Sequence, residues 1–405
     1  MPEPRILNAH ARRAMRGAVV LRRVLSGVAI LLGSLTVALV MGEVTIRIVQ
    51  WRVGLSEEYR WAAASRWRAI HRLADNRDLL YDLLPHSTAT IDYGPRGKVT
   101  YRISSQGVRG PERVVPKPEG TRRVLILGDS VTFGYYVPED STFASRAEEI
   151  LRRDDPSIEV INGGVGGYNT HNQMAWLIDH GLAFEPDAVV LAFCPNDVDN
   201  PHFHFSWHTL DKLGPLPEAL FPDPAMAEEE PPQPGGPWFS MTRHSRLVSF
   251  VDARLAVLRM GLAVSAAHRG PEAELRALRS VPFGDCLLSL CDRDSPRREW
   301  LARRVALLDS LATSHGFRWM MLYLPLSYQT AEGPGLCARD AVAAMASELD
   351  VVFADPLRLH PPGERLFYDP THLTPAGHRW VAETLAAGMD SVTIGSEEGG
   401  LHAEL

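Results

Sequence analysis

The sequence predicts an α/β domain built on a mainly parallel sheet and preceded by one N-terminal apolar helix. Residues 124–127 are apolar without a break and stop at Gly128, which marks a buried parallel strand. Strand and helix patterns then alternate at spacings that suit βαβ units. Residues 24–42 carry no charge at all, and as a helix they would span about 28 Å, roughly a bilayer core.

Composition narrows the function. The 405 residues suffice for one large domain or two ordinary ones, and 45% apolar content allows a full core. A formal charge of −7 argues against a nucleic-acid binder. Six arginines (Arg5, Arg12, Arg13, Arg16, Arg22 and Arg23) precede the apolar run against one acid, Glu3. That bias predicts a cytoplasmic N-terminus at residues 1–23, a membrane span at 24–46 and everything later outside the cytoplasmic membrane. The competing reading is a cleaved signal peptide, disfavoured by the length of the run and the lack of a small-x-small site after it. Glu43 and Arg47 stand one helical turn apart at the boundary. Four cysteines allow three pairings: a Cys286–Cys291 bridge is one candidate partnership, Cys337 completes the set, and Cys194 at a strand end reads as a small buried residue.

The chain then reads in order. Residues 47–91, rich in Trp, Arg and Leu, suggest a helical juxtamembrane stalk, with Trp51, Trp61 and Trp67 either at the lipid interface or packed on the domain. A short hairpin is expected over 91–103 around Gly94 and Gly97, followed by loop at Gly107, Gly110 and Pro111. The α/β domain occupies residues 92–390. Its expected strands are 124–127, 158–161, 188–193, 319–324 and 351–354; its helices lie near 143–153, 171–182, 299–314 and 338–349. Thr374 and Pro375 open the last helix as cap and first residue, and that helix should run to about residue 389. Residues 198–295 break this rhythm. They contain a proline-rich stretch at 215–237 and an amphipathic pattern at 247–260, and read either as an insertion capping the site or as a solvated loop. Residues 391–405 are acidic, glycine-containing and expected to be disordered.

Ser130 lies just past the first strand, where open α/β sheets bind ligands. A nucleophilic serine needs a base, and His372 is the best candidate. Asp369, three residues earlier, can reach the far imidazole nitrogen and stabilise the imidazolium. It also needs oxyanion donors at strand ends. The Ser130 N–H, a backbone N–H in the glycine loop 163–167 and the Asn196 amide are available.

These blocks, Gly128-Asp129-Ser130, Gly167, Asn196 and Asp369/His372, resemble in order those of the SGNH hydrolases of the GDSL esterase/lipase superfamily, membrane-anchored bacterial type. The resemblance covers roughly residues 100–390 and implies a three-layer α/β/α sandwich, flavodoxin-like. It implies Ser130 as nucleophile, His372 as base and Asp369 as its partner, with Ser130, Gly167 and Asn196 as the oxyanion hole. Gly167 best fits the family pattern within NGGVGGYNT. One departure is Cys194-Pro195-Asn196-Asp197, where many members carry glycine two residues before the asparagine. The segment Ser105-Gln106-Gly107-Val108-Arg109-Gly110 is similar to a lead-in of membrane-anchored members.

The implied function is an anchored extracytoplasmic esterase acting on acyl, chiefly acetyl, esters of cell-envelope polysaccharide. No cofactor, metal or nucleic acid is called for. A sugar hydroxyl in place of water would make the same site an O-acyltransferase. A non-catalytic carbohydrate-binding or assembly protein would be the third reading, against which the intact residue set weighs. His202, His204 and His208 alternate as zinc ligands can, but no matching ligand set is evident, so they read as surface or cap residues. His378 reads as structural, Asp129 and Asp197 as stabilisers of strand-end loops, and Arg109 as the partner of an acid or of an anionic substrate.

Overall fold

In the computed structural model of the protein, five parallel strands form the central sheet: β5 (Arg122–Gly128), β6 (Ile158–Gly164), β7 (Ala188–Phe193), β8 (Arg318–Tyr323) and β9 (Val352–Ala354). Their spatial order is β6-β5-β7-β8-β9. Two antiparallel hairpins precede them, β1 (His71–Leu73) with β2 (Tyr81–Leu83) and β3 (Thr88–Asp92) with β4 (Lys98–Arg102). The structure describes residues 4–52, 68–93, 96–199, 218–221, 270–279, 281–329, 335–359, 361 and 363–394, with scattered positions between 245 and 265. The chain divides into two units, residues 1–56 with 234–254 and residues 57–233 with 255–405.

The first unit is built on α1 (Pro4–Arg52). Within it, residues Val20–Ile48 contain an 18-residue window with a mean hydropathy of 2.4, none of it buried. Length and composition suit a membrane anchor or a signal sequence alike. The helix runs well past both ends of the expected span 24–46. Pro4 can open a helix, and no proline interrupts the chain again until Pro85. Glu43 accepts from Arg47 Nε at 2.7 Å and, through its other oxygen, from Ser245 Oγ at 2.9 Å and Leu247 N–H at 2.8 Å. This unit's described positions between 247 and 254 are helical, as the amphipathic pattern there predicts.

The second unit carries the α/β domain. Leu125, Ile126 and Leu127 of β5, residues 189–193 of β7 and residues 320–323 of β8 are essentially inaccessible. Burial on both faces explains why these strands read as continuous apolar runs rather than alternating ones. The helices of this unit include α2 (Ser130–Phe133), α3 (Phe143–Leu151), α4 (Thr170–Asp179), α5 (Pro271–Leu278), α6 (Gly284–Cys291), α7 (Pro296–His315), α8 (Leu336–Glu348) and α9 (Pro375–Ile394). α3 packs with α9, and α4 with α7, as outer layers of an α/β/α sandwich. The order β6-β5-β7 places β5 between its two successors, so the connections leave in opposite directions at the β5/β7 boundary. This is a topological switch point, where doubly wound sheets open a crevice at the strand carboxyl ends.

Four expectations are corrected. Residues 68–91 are not a helical stalk: they form a 3₁₀ turn and β1, β2 and most of β3, with Ile70, Leu79, Leu80, Tyr81 and Leu83 in the core. Local turn chemistry decides this, because Asn76 accepts from the Asp78 N–H at 3.0 Å through its side chain and from the Leu79 N–H at 3.1 Å through its carbonyl. Trp61, Trp67 and the side chain of Trp51 lie outside the described residues. The disulfide joins Cys291 to Cys337, linking the end of α6 to the start of α8, while Cys194 and Cys286 are free and buried. Cys286 and Cys291 lie five residues apart on one eight-residue helix, too far apart to pair. Part of the expected insertion 198–295 belongs to the main core through Leu220, Leu278, Cys286, Leu287 and Leu290; most of residues 200–244, including most of the proline-rich stretch and His202, His204 and His208, lies outside the described residues. Residues 391–394 continue α9, and 395–405 also fall outside.

His378 shows how tightly α9 meets α3. It is buried, its ring stacks on Phe143 at 5.8 Å, and its Nδ1 accepts the Phe143 N–H at 3.1 Å. Burial pushes its pKa down to about 3, with the charges of Arg109 and His372 adding to the effect. Unfolded histidine titrates near 6.5, so between about pH 6.5 and 3 the unfolded chain binds a proton that the folded chain refuses. Stability should therefore fall as pH drops through that window, by up to about 1.4 kcal/mol per pH unit from this residue. His378→Asn keeps a side-chain acceptor but does not titrate; urea unfolding of the detergent-solubilised protein from pH 7 to 4 should show a shallower acid slope in the variant.

Candidate active site

Three strand ends meet at the switch point. β5 ends at Gly128, whose added Cβ would lie 2.0 Å from Thr132 Oγ1. The chain must therefore turn there without a side chain. Asp129 caps the single turn of α2, its Oδ1 accepting the Val131 N–H at 2.8 Å. Gly134 closes the turn at φ +86°, a left-handed value that glycine tolerates. Ser130, 7% exposed, is the first residue of that turn.

The Ser130 Oγ lies 2.9 Å from His372 Nε2. His372 Nδ1 lies 2.8 and 2.9 Å from the two oxygens of Asp369. A carboxylate only accepts, so Nδ1 carries the proton and Nε2 is left to accept from Ser130. The loop holding both residues is pinned locally. Phe367 bridges Leu373, Tyr368 N–H donates to His372 O at 2.8 Å, and Asp369 Oδ1 accepts the N–H groups of Thr371 and His372 at 3.1 and 2.9 Å. For Asp369, burial raises the pKa, but the His372 hydrogen bond, its charge and the two backbone donors outweigh it and hold the carboxyl below its ordinary range. The imidazole is framed by Tyr135, stacked at 5.3 Å, and Tyr136, edge-on at 5.2 Å. Hydroxyl, imidazole and carboxylate in this order can take a proton from Ser130 and return it to a leaving group.

Asn196 sits in a 3₁₀ turn, Pro195–Val198, just past β7. Its Nδ2 donates to Asp129 Oδ2 at 2.8 Å. One N–H of the amide is thus engaged and joins Asn196 to the serine turn. Asp197 holds the same turn by accepting the Cys194 N–H at 2.9 Å; burial and then the Asp129 charge push its carboxyl well above the ordinary range. Gly167 follows β6 at φ +83°. Its loop is tied to the serine turn by Val165 N–H to Gly128 O at 3.1 Å and Asn162 Nδ2 to Thr132 O at 2.9 Å. The structure thus links Ser130, His372 and Asp369 in one hydrogen-bonded chain, attaches Asn196 to it through Asp129, and sets Gly167 on the adjoining loop. Among the described residues no group of three or more His, Cys, Asp or Glu is arranged to hold a metal ion.

Arg109 meets neither an acid nor the serine; it binds backbone. Buried to 2% exposure, it donates to the carbonyls of Phe133 at 2.7 Å, Gly134 at 2.6 Å and Val137 at 2.7 Å, and lies 4.6 Å from the Tyr101 ring centroid. Burial lowers its pKa to about 10, against the opposing charges of Tyr101 and Glu139, so it stays cationic at neutral pH. The cation completes the carboxyl end of α2 and fixes how the serine turn leaves the sheet. Its setting among glycines in residues 105–110 flags it in the sequence, but nothing there reveals carbonyls 24 or more residues away. Arg109→Met should cost on the order of 3–5 kcal/mol by stranding three buried carbonyls. Arg109→Lys should recover only part, because an ammonium lacks the planar fork. Thermal melts of both variants beside the parent check this.

Comparisons with known proteins follow the same lines. Residues 126–337 match the model of the GDSL-like Lipase/Acylhydrolase family. An arylesterase from Vibrio mimicus is 30% identical over 79 residues, 20% of this chain; the chain spans 40% of that relative's length. Among solved structures, a lipase/acylhydrolase from Enterococcus faecalis aligns at 11% identity over 67% of this chain and 97% of its own, with a TM-score of 0.36. An acetyl xylan esterase aligns at 13% identity over 65% and 98%, with a TM-score of 0.33.

Proposed function

The chain belongs to the GDSL-like lipase/acylhydrolase family, and on that premise we propose that it is a membrane-anchored serine esterase acting through an acyl-Ser130 intermediate. The observation that carries the reading is the 2.9 Å contact of Ser130 Oγ with His372 Nε2, backed by Asp369 at 2.8 Å, at the switch point of the sheet. His372 takes the Ser130 proton as Oγ attacks the ester carbonyl, and Asp369 stabilises the imidazolium. The oxyanion is received by the N–H groups of Ser130 and Gly167 and by the Asn196 amide. Collapse expels the alcohol, which takes the proton from His372. Water, deprotonated by His372, then attacks the acyl-serine and releases the acid. The sum is ester plus water to acid plus alcohol.

Ser130→Ala should abolish hydrolysis of p-nitrophenyl acetate and labelling by a fluorophosphonate. Asp369→Asn should lower kcat by about 10²–10⁴, as loss of the orienting carboxylate does in serine triads. Turnover unchanged in Ser130→Ala would remove the reading.

For placement, α1 is the anchor, residues 1–23 are cytoplasmic and the α/β domain is extracytoplasmic, where acetyl esters of envelope polysaccharide are the substrate. The arginine bias before the apolar run supports this orientation. So does the Cys291–Cys337 disulfide, a bond that persists in oxidising compartments. Protease added to intact spheroplasts should digest the domain, and a thiol reagent should modify Cys291 and Cys337 only after reduction. A protected domain with both thiols free from the outset would reverse the orientation.

A further inference from the structure

The N-terminal hairpin reaches the glycine loop through one side chain. Tyr81 is buried, and its hydroxyl donates to the Gly166 carbonyl at 2.7 Å across 85 residues of sequence. That carbonyl shares a peptide unit with the N–H of Gly167, and the unit is trans. In a trans peptide the C=O and N–H lie in one plane and point in opposite directions, so fixing one fixes the other. Hydrogen bonding to the carbonyl also polarises the amide and strengthens its N–H as a donor.

We propose that Tyr81 is a positioning residue that sets the direction of the Gly167 N–H toward the oxyanion. The inference rests on the role given to Gly167 above.

The loop needs such an anchor. Gly166 and Gly167 are adjacent and have little intrinsic conformational preference. Gly166 has no room for a side chain, since its Cβ would lie 2.1 Å from the Tyr135 hydroxyl. Its orientation therefore has to come from outside the loop. The anchor is itself held from two sides. Tyr81 pairs with Leu73 across the β1–β2 hairpin, and its ring lies 5.5 Å from that of Tyr168. The Tyr168 hydroxyl donates back to the Tyr81 carbonyl, and the Tyr168 N–H donates to Val165 O at 3.2 Å. Strand and loop thus grip each other reciprocally, side chain to main chain in both directions. Burial, then the Asp129 charge, push the Tyr81 phenol above its ordinary range. It therefore remains a neutral O–H donor wherever the enzyme works.

The test uses full-length protein in detergent, with p-nitrophenyl acetate as substrate and active sites counted by fluorophosphonate. Tyr81→Phe removes one oxygen and keeps the ring. It should lower kcat about 10- to 100-fold, somewhat less than outright loss of an oxyanion donor, with KM within about 3-fold. Affinity for a trifluoromethyl ketone, whose adduct with Ser130 bears the oxyanion, should fall by the same factor. Asn196→Ala serves as the benchmark for a lost donor. Should Tyr81→Phe fold poorly, Tyr168→Phe carries the test and should show a smaller fall in kcat, again without a rise in KM. Variants that melt earlier yet keep parental kcat per active site, while Asn196→Ala is impaired, would overturn the positioning role and leave the site reading standing. Full activity in Ser130→Ala would overturn both.

Discussion

The carboxylate of Asp129 is the hub on which the site's geometry depends. One oxygen accepts the Val131 N–H and so opens the turn that presents Ser130. The other accepts from Asn196, which comes from the end of a different strand. A single side chain with no role in bond making therefore sets the spacing between the serine and a neighbouring amide. The arrangement is available because β5 lies beside both β6 and β7, so three carboxyl ends open on one crevice. A carboxylate suits this position because it offers several acceptor sites to donors arriving from different directions.

Around that hub the backbone is held from outside by buried side chains. Arg109 takes the carbonyls on the far side of the serine turn, and Tyr81 takes the carbonyl of Gly166. Both come from segments upstream of β5, residues 68–110, which contribute no strand to the central sheet. Their burial has a cost: a guanidinium and a phenol lose water and must recover it in hydrogen bonds. Arg109 recovers it at its two terminal nitrogens, and Tyr81 at its hydroxyl, on main-chain carbonyls of a turn and a glycine loop. The upstream hairpins thus serve the site through the polar groups they satisfy as well as the apolar area they bury.

This division explains what was legible in the sequence. The strands were, because burial on both faces writes itself as an unbroken apolar run and glycine ends it. The Asp369–His372 relation was, because three residues separate the partners and one loop holds both. The cap at Thr374 was, and Gly377 N–H donates to its Oγ1 at 3.2 Å. What escaped was set by distance. Tyr81 and Gly166 are 85 residues apart, and Arg109 and Val137 are 28 apart. No periodicity announces such contacts. The cysteine pairing escaped for the same reason, since its partners stand 46 residues apart. Residues 68–91 were misread for a different cause: short two-residue-period strands carry little signal, and an Asn-Asp turn outweighs the helical leanings of Leu and Arg around it.

Where a site uses main-chain N–H groups as donors, substitution cannot remove those donors themselves, whereas a side-chain donor such as an asparagine amide can be replaced. Substitution reaches the main-chain groups through side chains that hold the peptide units, such as Asp129, Arg109 and Tyr81. Such residues also hold the fold together, so their loss lowers stability and turnover together, and one measurement alone misassigns them. The discriminating quantity is the difference between what the substrate loses and what the transition state loses, because packing defects reduce the number of working sites while a misdirected N–H weakens each one. A fold of this family can hold its reacting groups by backbone geometry and leave the choice of acyl group and alcohol to side chains around them. Near His372 stand Tyr136 and Tyr368, with Arg96 lying 4.9 Å from each ring centroid. Side chains like these can vary while the Asp129 contacts stay, and one fold can host many functions in that way.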